Sequence, residues 1–370
     1  MNPADMKRRY FLFGAASSLA AQSPNDTIQV GMIGVGNRGA HVMRSVMAQP
    51  NAKVVALCDI KPERLDKAAS AAARDNPATY KDYRRLIEDK NVQVVHISTP
   101  CDLHVEMAIA ALRAGKHVYC EKPVGIEPKS IAELVKVARA SKVQFQVGQQ
   151  LRSDARMRKT IERVHQGLVG KVVMIKAQRH ASDDLPHDAS SADWFFDAKR
   201  SGDVIVEMSV HNLDVCNWAA QSRPDRAAGF GGALVWPNDP VGRTNMDGYT
   251  LSYEYANGVK MSYTQVFFHP RGMPGNNQYW YVYGTEGAVD LGTSTFYPRS
   301  RGAKPEVLFP EEKQNLDLAH VASLFEAIRN GTPVAAGIDV GATGALTAIM
   351  GRDAIYGKRM VTWHEMGVNL

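Results

Sequence analysis

The chain has little of what staples a small protein or fastens one to a membrane. Four cysteines in 370 residues, Cys58, Cys101, Cys120 and Cys216, form neither a disulfide framework nor a metal-ligand spacing. Three of them fall at the ends of expected strands, and they read as buried free thiols. No apolar stretch reaches the ~20 residues needed to cross a bilayer. Beyond the first few residues there is no Lys/Arg run and no basic stripe interleaved with aromatics, so the net charge of +6 does not imply nucleic acid. Lys7, Arg8 and Arg9 against Asp5 supply +2 of that excess. Repeats and low-complexity segments are also missing. What remains, 45% hydrophobic and 22% charged, is an ordinary globular composition with length enough for two cores.

The first residues stand apart. Lys7-Arg8-Arg9-Tyr10-Phe11-Leu12 precedes an apolar run over 11–21 that ends in the small residues Ala20 and Ala21. This is the pattern of a twin-arginine export signal over 1–24, and it implies a periplasmic or secreted location. The run is about half a membrane span, so a stable membrane anchor is the poorer reading.

From residue 25 to about 150, short apolar runs alternate with helical patterns, the mark of a parallel sheet with covering helices. Strands are expected at 27–34, 53–59, 92–98, 117–120 and 144–148, with helices at 38–47, 62–73, 102–114 and 130–141. Pro62 suits a first helical turn and Gly115 a helix end. Beyond 150 the strands lengthen: 172–179, 227–236, 249–256, 260–268 and 278–283. Asn257-Gly258 signals a hairpin between two of them. The second part, 151–370, therefore reads as an α+β domain with a large, mainly antiparallel sheet. Its last helix, 343–356, is expected to pack back on the first domain. The fold class is α/β.

The first strand runs into Gly34-Val35-Gly36-Asn37-Arg38-Gly39 and then a helix. Such glycines allow a tight turn and a close backbone approach, and the helix N-terminus offers N–H groups to a pyrophosphate. Asp59 ends the second strand 20 residues after Gly39, where a ribose-binding acid belongs. Its carboxylate accepts from a 2′-hydroxyl and repels a 2′-phosphate, which favours NAD over NADP. Lys61 weakens that preference slightly. Ser98-Thr99-Pro100 closes the next strand, facing the riboses. His104, in the following helix, serves either the helix start or the cofactor.

Lys122, after Glu121, sits just past a buried strand at the carboxyl edge where ligands bind in open α/β sheets. It is either a surface lysine or a group that polarises a substrate hydroxyl. The stretch 204–219 reads as one helix, apolar nearly all round, on which Glu207, His211, Asp214 and Trp218 share a face. Such a stripe either meets solvent or lines a pocket. Its spacing matches no strong metal motif, so no metal is expected.

These pieces, with Trp194-Phe195-Phe196-Asp197 and His211-Asn212-Leu213-Asp214, make the chain resemble the glucose–fructose oxidoreductase/inositol dehydrogenase (Gfo/Idh/MocA) family over nearly all of the sequence after the signal. The resemblance implies that the lysine of Glu121-Lys122-Pro123 and the histidine of His211-x-x-Asp214 are catalytic. It also implies a sugar or polyol substrate, and a second-domain sheet serving as the interface of a homodimer or homotetramer. Several relatives carry aspartate four residues before the histidine, where this chain has Glu207. The expected activity is NAD-dependent oxidation of a sugar or polyol, with His211 as base, Glu207 and Asp214 assisting it, and Lys122 steadying the oxygen. Export through a twin-arginine route would require NAD to be held tightly. A redox-neutral glycosidase or sugar isomerase is the alternative, and a non-catalytic NAD-binding sensor the weaker one.

Overall fold

The computed structural model describes residues 27–180, 194–270 and 272–370. The expected export segment 1–24 lies outside the described residues.

The first domain carries strands β1 (Ile28–Ile33), β2 (Ala52–Cys58), β3 (Ala78–Tyr80), β4 (Val94–Ile97), β5 (His117–Cys120) and β6 (Phe145–Val147). Between them run helices α1 (Asn37–Met47), α2 (Pro62–Ala71), α3 (Tyr83–Glu88), α4 (His104–Arg113) and α5 (Pro128–Ala140). All pairings are parallel, in the order β3-β2-β1-β4-β5-β6. The central strands β1 and β4 are buried almost throughout and apolar but for Gln29 and His96, because helices cover both faces. The strand order reverses between β1 and β4, which opens a crevice at their carboxyl ends. Sequence reading missed β3 and α3. Ala78 and Thr79 are exposed on an edge strand of three residues, so no apolar run marks them.

The second domain adds α6 (Ala155–His165), β7 (Val172–His180), α7 (Ala198–Ser201), α8 (Val204–Glu207), α9 (Val210–Ala220), β8 (Pro224–Gly232), β9 (Gly248–Tyr255) and β10 (Lys260–Val266). It continues with β11 (Gln278–Gly284), β12 (Gly287–Asp290), β13 (Thr295–Pro298), β14 (Glu306–Val307), α10 (Leu316–Asn330), α11 (Ile338–Gly357) and β15 (Val361–Thr362). Nine strands form one sheet in the order β14-β13-β12-β11-β7-β10-β9-β8-β15, antiparallel except where β7 meets β10. Buried and more exposed residues alternate along β9 and β10, so one face packs on helices and the other is open.

The expected helix 204–219 is in fact two, α8 and α9, separated by Met208 and Ser209. The Ser209 hydroxyl is drawn into a buried cluster with Tyr249, Tyr263 and Gln265 from the sheet, and this pulls the chain out of helical register. Strand β8 is displaced from the expected 227–236. The Asp247 carboxylate accepts from the amides of Leu234 (2.6 Å), Val235 (3.1 Å) and Trp236 (2.9 Å), which turns the chain off the sheet. The hairpin at Asn257-Gly258 forms, but only Gly258 is left-handed (φ 88°), and its N–H closes the turn on the Tyr255 carbonyl at 2.8 Å.

Helix α11 is longer than expected and buried nearly all round. It packs on α9 and β8 in its own domain and on α5 and β6 in the first. Small residues allow this. A Cβ at Gly341 would lie 2.4 Å from Val147 of β6, and one at Gly351 would lie 2.2 Å from the Tyr253 hydroxyl of β9. The four cysteines are buried and free.

Candidate active site

The glycine-rich turn is built by close contacts. Gly34 is left-handed (φ 81°), and a Cβ there would lie 2.4 Å from the Ser98 carbonyl oxygen. A Cβ at Gly39 would lie 1.9 Å from the Gly34 carbonyl oxygen. No side chain caps α1 at Gly36, so its N-terminus, with the positive end of its dipole, opens on the crevice. A cleft of about 510 Å³ begins here. Of the residues expected to face a cofactor, Gly34, Gly36, Asn37, Arg38, Asp59, Ser98, Thr99, Pro100, His104, Glu121 and Lys122 line it. Gly39 does not; it packs α1 onto the turn. Lys61, Arg64, Lys81, Trp194 and Glu207 line the same cleft.

Several of these side chains are held by protein partners. Asp59 is buried and accepts from Val35 N through Oδ2 (3.0 Å) and from Lys61 N through Oδ1 (2.9 Å), so its carboxylate is oriented before any ligand arrives. Arg38 donates from Nε to Glu121 (2.8 Å) and from both Nη atoms to Asp317 of α10 (3.1 and 2.7 Å). Glu121 is buried at the edge of the cleft and fixes the Arg38 guanidinium. His104, which lines the cleft, has Nδ1 facing the Pro123 carbonyl (2.7 Å) and Nε2 the Thr99 carbonyl (2.9 Å). It ties the end of β4 to the Lys122-Pro123 turn, whose peptide bond is cis.

A tight turn that any Cβ would fill, an uncapped helix N-terminus and a pre-oriented acid after β2 are the donor and acceptor set that a dinucleotide requires. The residues present fit NAD.

The far end of the cleft is where β5 delivers Lys122. Its ammonium donates to the Glu207 carboxylate and to the Glu207 carbonyl oxygen (2.6 Å). Both side chains are 14% exposed. The break after α8 makes this possible, because it frees the Glu207 carbonyl from the helical ladder. His211 lies beyond the break, in the first turn of α9, and does not line the cleft. Its pKa is held well below the usual 6.5, by burial first and then by the positive charges of Lys122, Arg179 and Arg38. Its Nδ1 is buried with no partner among the described residues.

The break therefore separates Glu207, at the end of α8, from His211 and Asp214, which stay three residues apart on α9. Glu207 serves Lys122, and Asp214 is buried in a two-point pair with Arg152 (2.8 Å at both oxygens). Arg152 also lies 4.9 Å over the Trp218 ring, which accounts for the fourth member of the stripe. Sequence reading missed Arg152 and Arg179. Arg152 follows β6 at the ligand-binding edge of the sheet, and that position was a usable signal. Arg179 is the penultimate residue of β7 and donates to the Met208 carbonyl (3.0 Å); nothing in the sequence ties it to the break. Among the described residues no cluster of His, Cys, Asp or Glu could hold a metal ion, and no helix is long and apolar enough to cross a membrane.

The reversing parallel sheet, the glycine turn and the lysine at the strand edge define an oxidoreductase with an NAD-binding Rossmann domain. Residues 28–149 match the family model of that description, and residues 157–290 match the GFO/IDH/MocA C-terminal domain. The chain belongs to the GFO/IDH/MocA oxidoreductase family. It is 22% identical over 347 residues to the myo-inositol 2-dehydrogenase of Thermotoga maritima, covering 92% of this chain and 99% of that one. It is 32% identical over 159 residues to a glycosyl hydrolase family 109 protein of Saccharopolyspora erythraea, covering 40% and 34%. An inositol dehydrogenase of Lactiplantibacillus plantarum is 30% identical over 192 residues, 51% of each chain, so some curated relatives are matched over only about half their length. Among solved structures, the WlbA dehydrogenase of Bordetella pertussis, in complex with NADH and UDP-GlcNAcA, superposes with a TM-score of 0.76 at 17% identity. That likeness covers 91% of this chain and 98% of the other, and it concerns the fold.

Proposed function

We propose that the protein oxidises a hydroxyl of a sugar or polyol with NAD, in preference to NADP. The observation that carries this reading is the lysine at the edge of β5, paired with Glu207 at one end of the cleft and close enough to His211 to depress its pKa. Bound through the glycine turn, Asp59 and the end of β4, NAD would supply the acceptor for the hydride leaving the substrate carbon. The protein's own groups handle the proton and the charge. His211, kept neutral, takes the hydroxyl proton. Action through Nε2 requires the tautomer protonated on Nδ1, the buried nitrogen. Lys122 donates to the reacting oxygen, and Glu207 positions the ammonium by holding it from two sides. Asp214 acts at one remove, fixing α9 through Arg152.

Lys122→Met and His211→Ala are each expected to lower turnover by about 10²-fold, the usual scale for lost acid–base groups, with NAD binding retained in a calorimetric titration. Near-normal turnover in either variant would reject the assignment.

Similarity to a glycosyl hydrolase family 109 protein supports a second reading, in which oxidation is transient and the net reaction cleaves or isomerises a sugar. Product analysis separates the two, since the second forms product with no net reduction of NAD. Export through residues 1–24, retention of one nucleotide per chain, and assembly through the open face of the second sheet belong to the same proposal. Extensive dialysis of purified protein tests retention: protein that comes out empty and needs added NAD would count against a trapped cofactor.

A further inference from the structure

We infer that the substrate of this site carries a carboxylate, and that Arg179 holds it. The inference rests on the oxidoreductase reading for what happens to the ligand, but not for where its anion lies.

Arg179 is the penultimate residue of β7 and alternates with Ile175 and Ala177, which are buried. Its side chain therefore lies on the helix-covered side of the sheet, beneath the α8–α9 break. There Nη1 donates to the Met208 carbonyl at 3.0 Å. Met208 follows Glu207, the partner of Lys122, and precedes the helix that carries His211. The guanidinium is thus anchored through one nitrogen beside the proposed reacting groups. Its positive charge is one of those that keep His211 neutral.

The charge balance is the second observation. Lys122 is matched by Glu207, Arg152 by Asp214, and Arg38 by Glu121 and Asp317. Among the described residues no carboxylate pairs with Arg179, and no acceptor meets its Nε or Nη2. A half-buried guanidinium with no carboxylate beside it is a standing positive charge that an incoming anion would match. The Nε/Nη2 edge it leaves open is a rigid pair of parallel donors, the shape that reads a planar carboxylate at two points. Because Lys122 neutralises Glu207, the resident acid does not repel an incoming one. A neutral hydroxyl could accept from the same edge but would leave the charge standing. Acidic sugars, such as uronates, satisfy both the open fork and the proposed chemistry at an adjacent hydroxyl.

The test compares D-glucuronate and D-galacturonate with D-glucose, D-galactose and myo-inositol, reading NADH formation by wild-type, Arg179→Met and Arg179→Lys proteins. The acids should exceed the neutral compounds in kcat/KM by roughly 10- to 100-fold, the worth of a charged hydrogen-bond pair. Arg179→Met should erase that ratio, mainly through KM, and Arg179→Lys should restore part of it. Wild-type protein that turns over glucose as well as glucuronate would overturn the inference. So would an Arg179→Met variant that loses both to the same degree.

A binding arm separates this inference from the reading beneath it. The NAD-loaded protein is melted with glucuronate, with glucose 6-phosphate and with glucose. Stabilisation by glucuronate that disappears in Arg179→Met, with no NADH formed from any compound, supports Arg179 and counts against the oxidoreductase reading. Stabilisation by the phosphate ester alone overturns the carboxylate, and stabilisation by none, with no acid preference in turnover, overturns the site.

Discussion

Gly39→Ala tests whether the nucleotide turn is built as described. The added Cβ would lie 1.9 Å from the Gly34 carbonyl oxygen, where ordinary contact begins at 3.4 Å. The obstacle is backbone on both sides, so no side chain can swing away. Either α1 backs off from β1 by about 1.5 Å or the turn itself deforms, in an interior packed too densely to absorb such a shift. The expected cost is about 3 kcal/mol, the upper end for overpacking. The same displacement carries the N–H groups of α1 out of hydrogen-bonding range, so NAD affinity should fall by roughly 10²-fold, the equivalent of two bonds. Gly36→Ala is the internal control. Its Cβ would meet only the mobile end of Arg64, at 3.1 Å. Stability should therefore stay within about 0.5 kcal/mol, while the room for the pyrophosphate shrinks and affinity drops. Urea unfolding and calorimetric NAD titration measure the two effects separately. A Gly39→Ala protein that binds NAD normally and loses under about 1 kcal/mol would refute the reasoning.

Asp59→Ala should narrow the preference for NAD over NADP and also loosen the turn, since the carboxylate accepts from Val35 and Lys61 amides; a wild-type preference for NADP in paired titrations would reject the ribose assignment. His211 has a depressed pKa, so its base form persists as pH falls below 6.5, and the acid side of the kcat/KM profile should show no limb near that value. A limb there would mean that the titrating base is not His211. Burial raises the pKa of Asp203 from the usual 3.8 to about 6, against opposing hydrogen bonds from Tyr356 and two amides. The folded state therefore keeps this proton longer than the unfolded one. Its contribution is full below pH 3.8 and is lost as pH rises through 6, on the order of 1 kcal/mol per pH unit. Asp203→Asn should flatten that part of the unfolding profile, and an unchanged slope would show that Asp203 does not titrate there.

The parallel half of the fold was legible because buried parallel strands are continuous apolar runs punctuated by glycine and proline. The glycine turn, Asp59 and Lys122 stood at positions dictated by that topology. Misreadings gathered where distant residues overrule a local pattern. Val204 to Ala219 has helical composition throughout, and only the sheet residues Tyr249, Tyr263 and Gln265 reveal why Ser209 breaks it. Spacing put Glu207, His211 and Asp214 on one face. The partners that draw the two acids elsewhere, Lys122 and Arg152, lie about 60 to 90 residues away in sequence. Arg38 is an extreme case, since one of its partners, Asp317, is 279 residues downstream.

That last pairing has a consequence for how the molecule comes into being. Ribosomes make Arg38 of the nucleotide turn 279 residues before Asp317, and α11, which packs on β6, comes later still. A nascent chain halted after the Rossmann domain has the glycines, Asp59 and the Glu121 partner of Arg38, but lacks the second counter-charge, Asp317, and the cover over β6. Cutting the gene near residue 150 would release a fragment with the same wounds, so the two halves are not interchangeable modules. The cradle for the nucleotide is finished only once Asp317 and α11 have been made and packed against it.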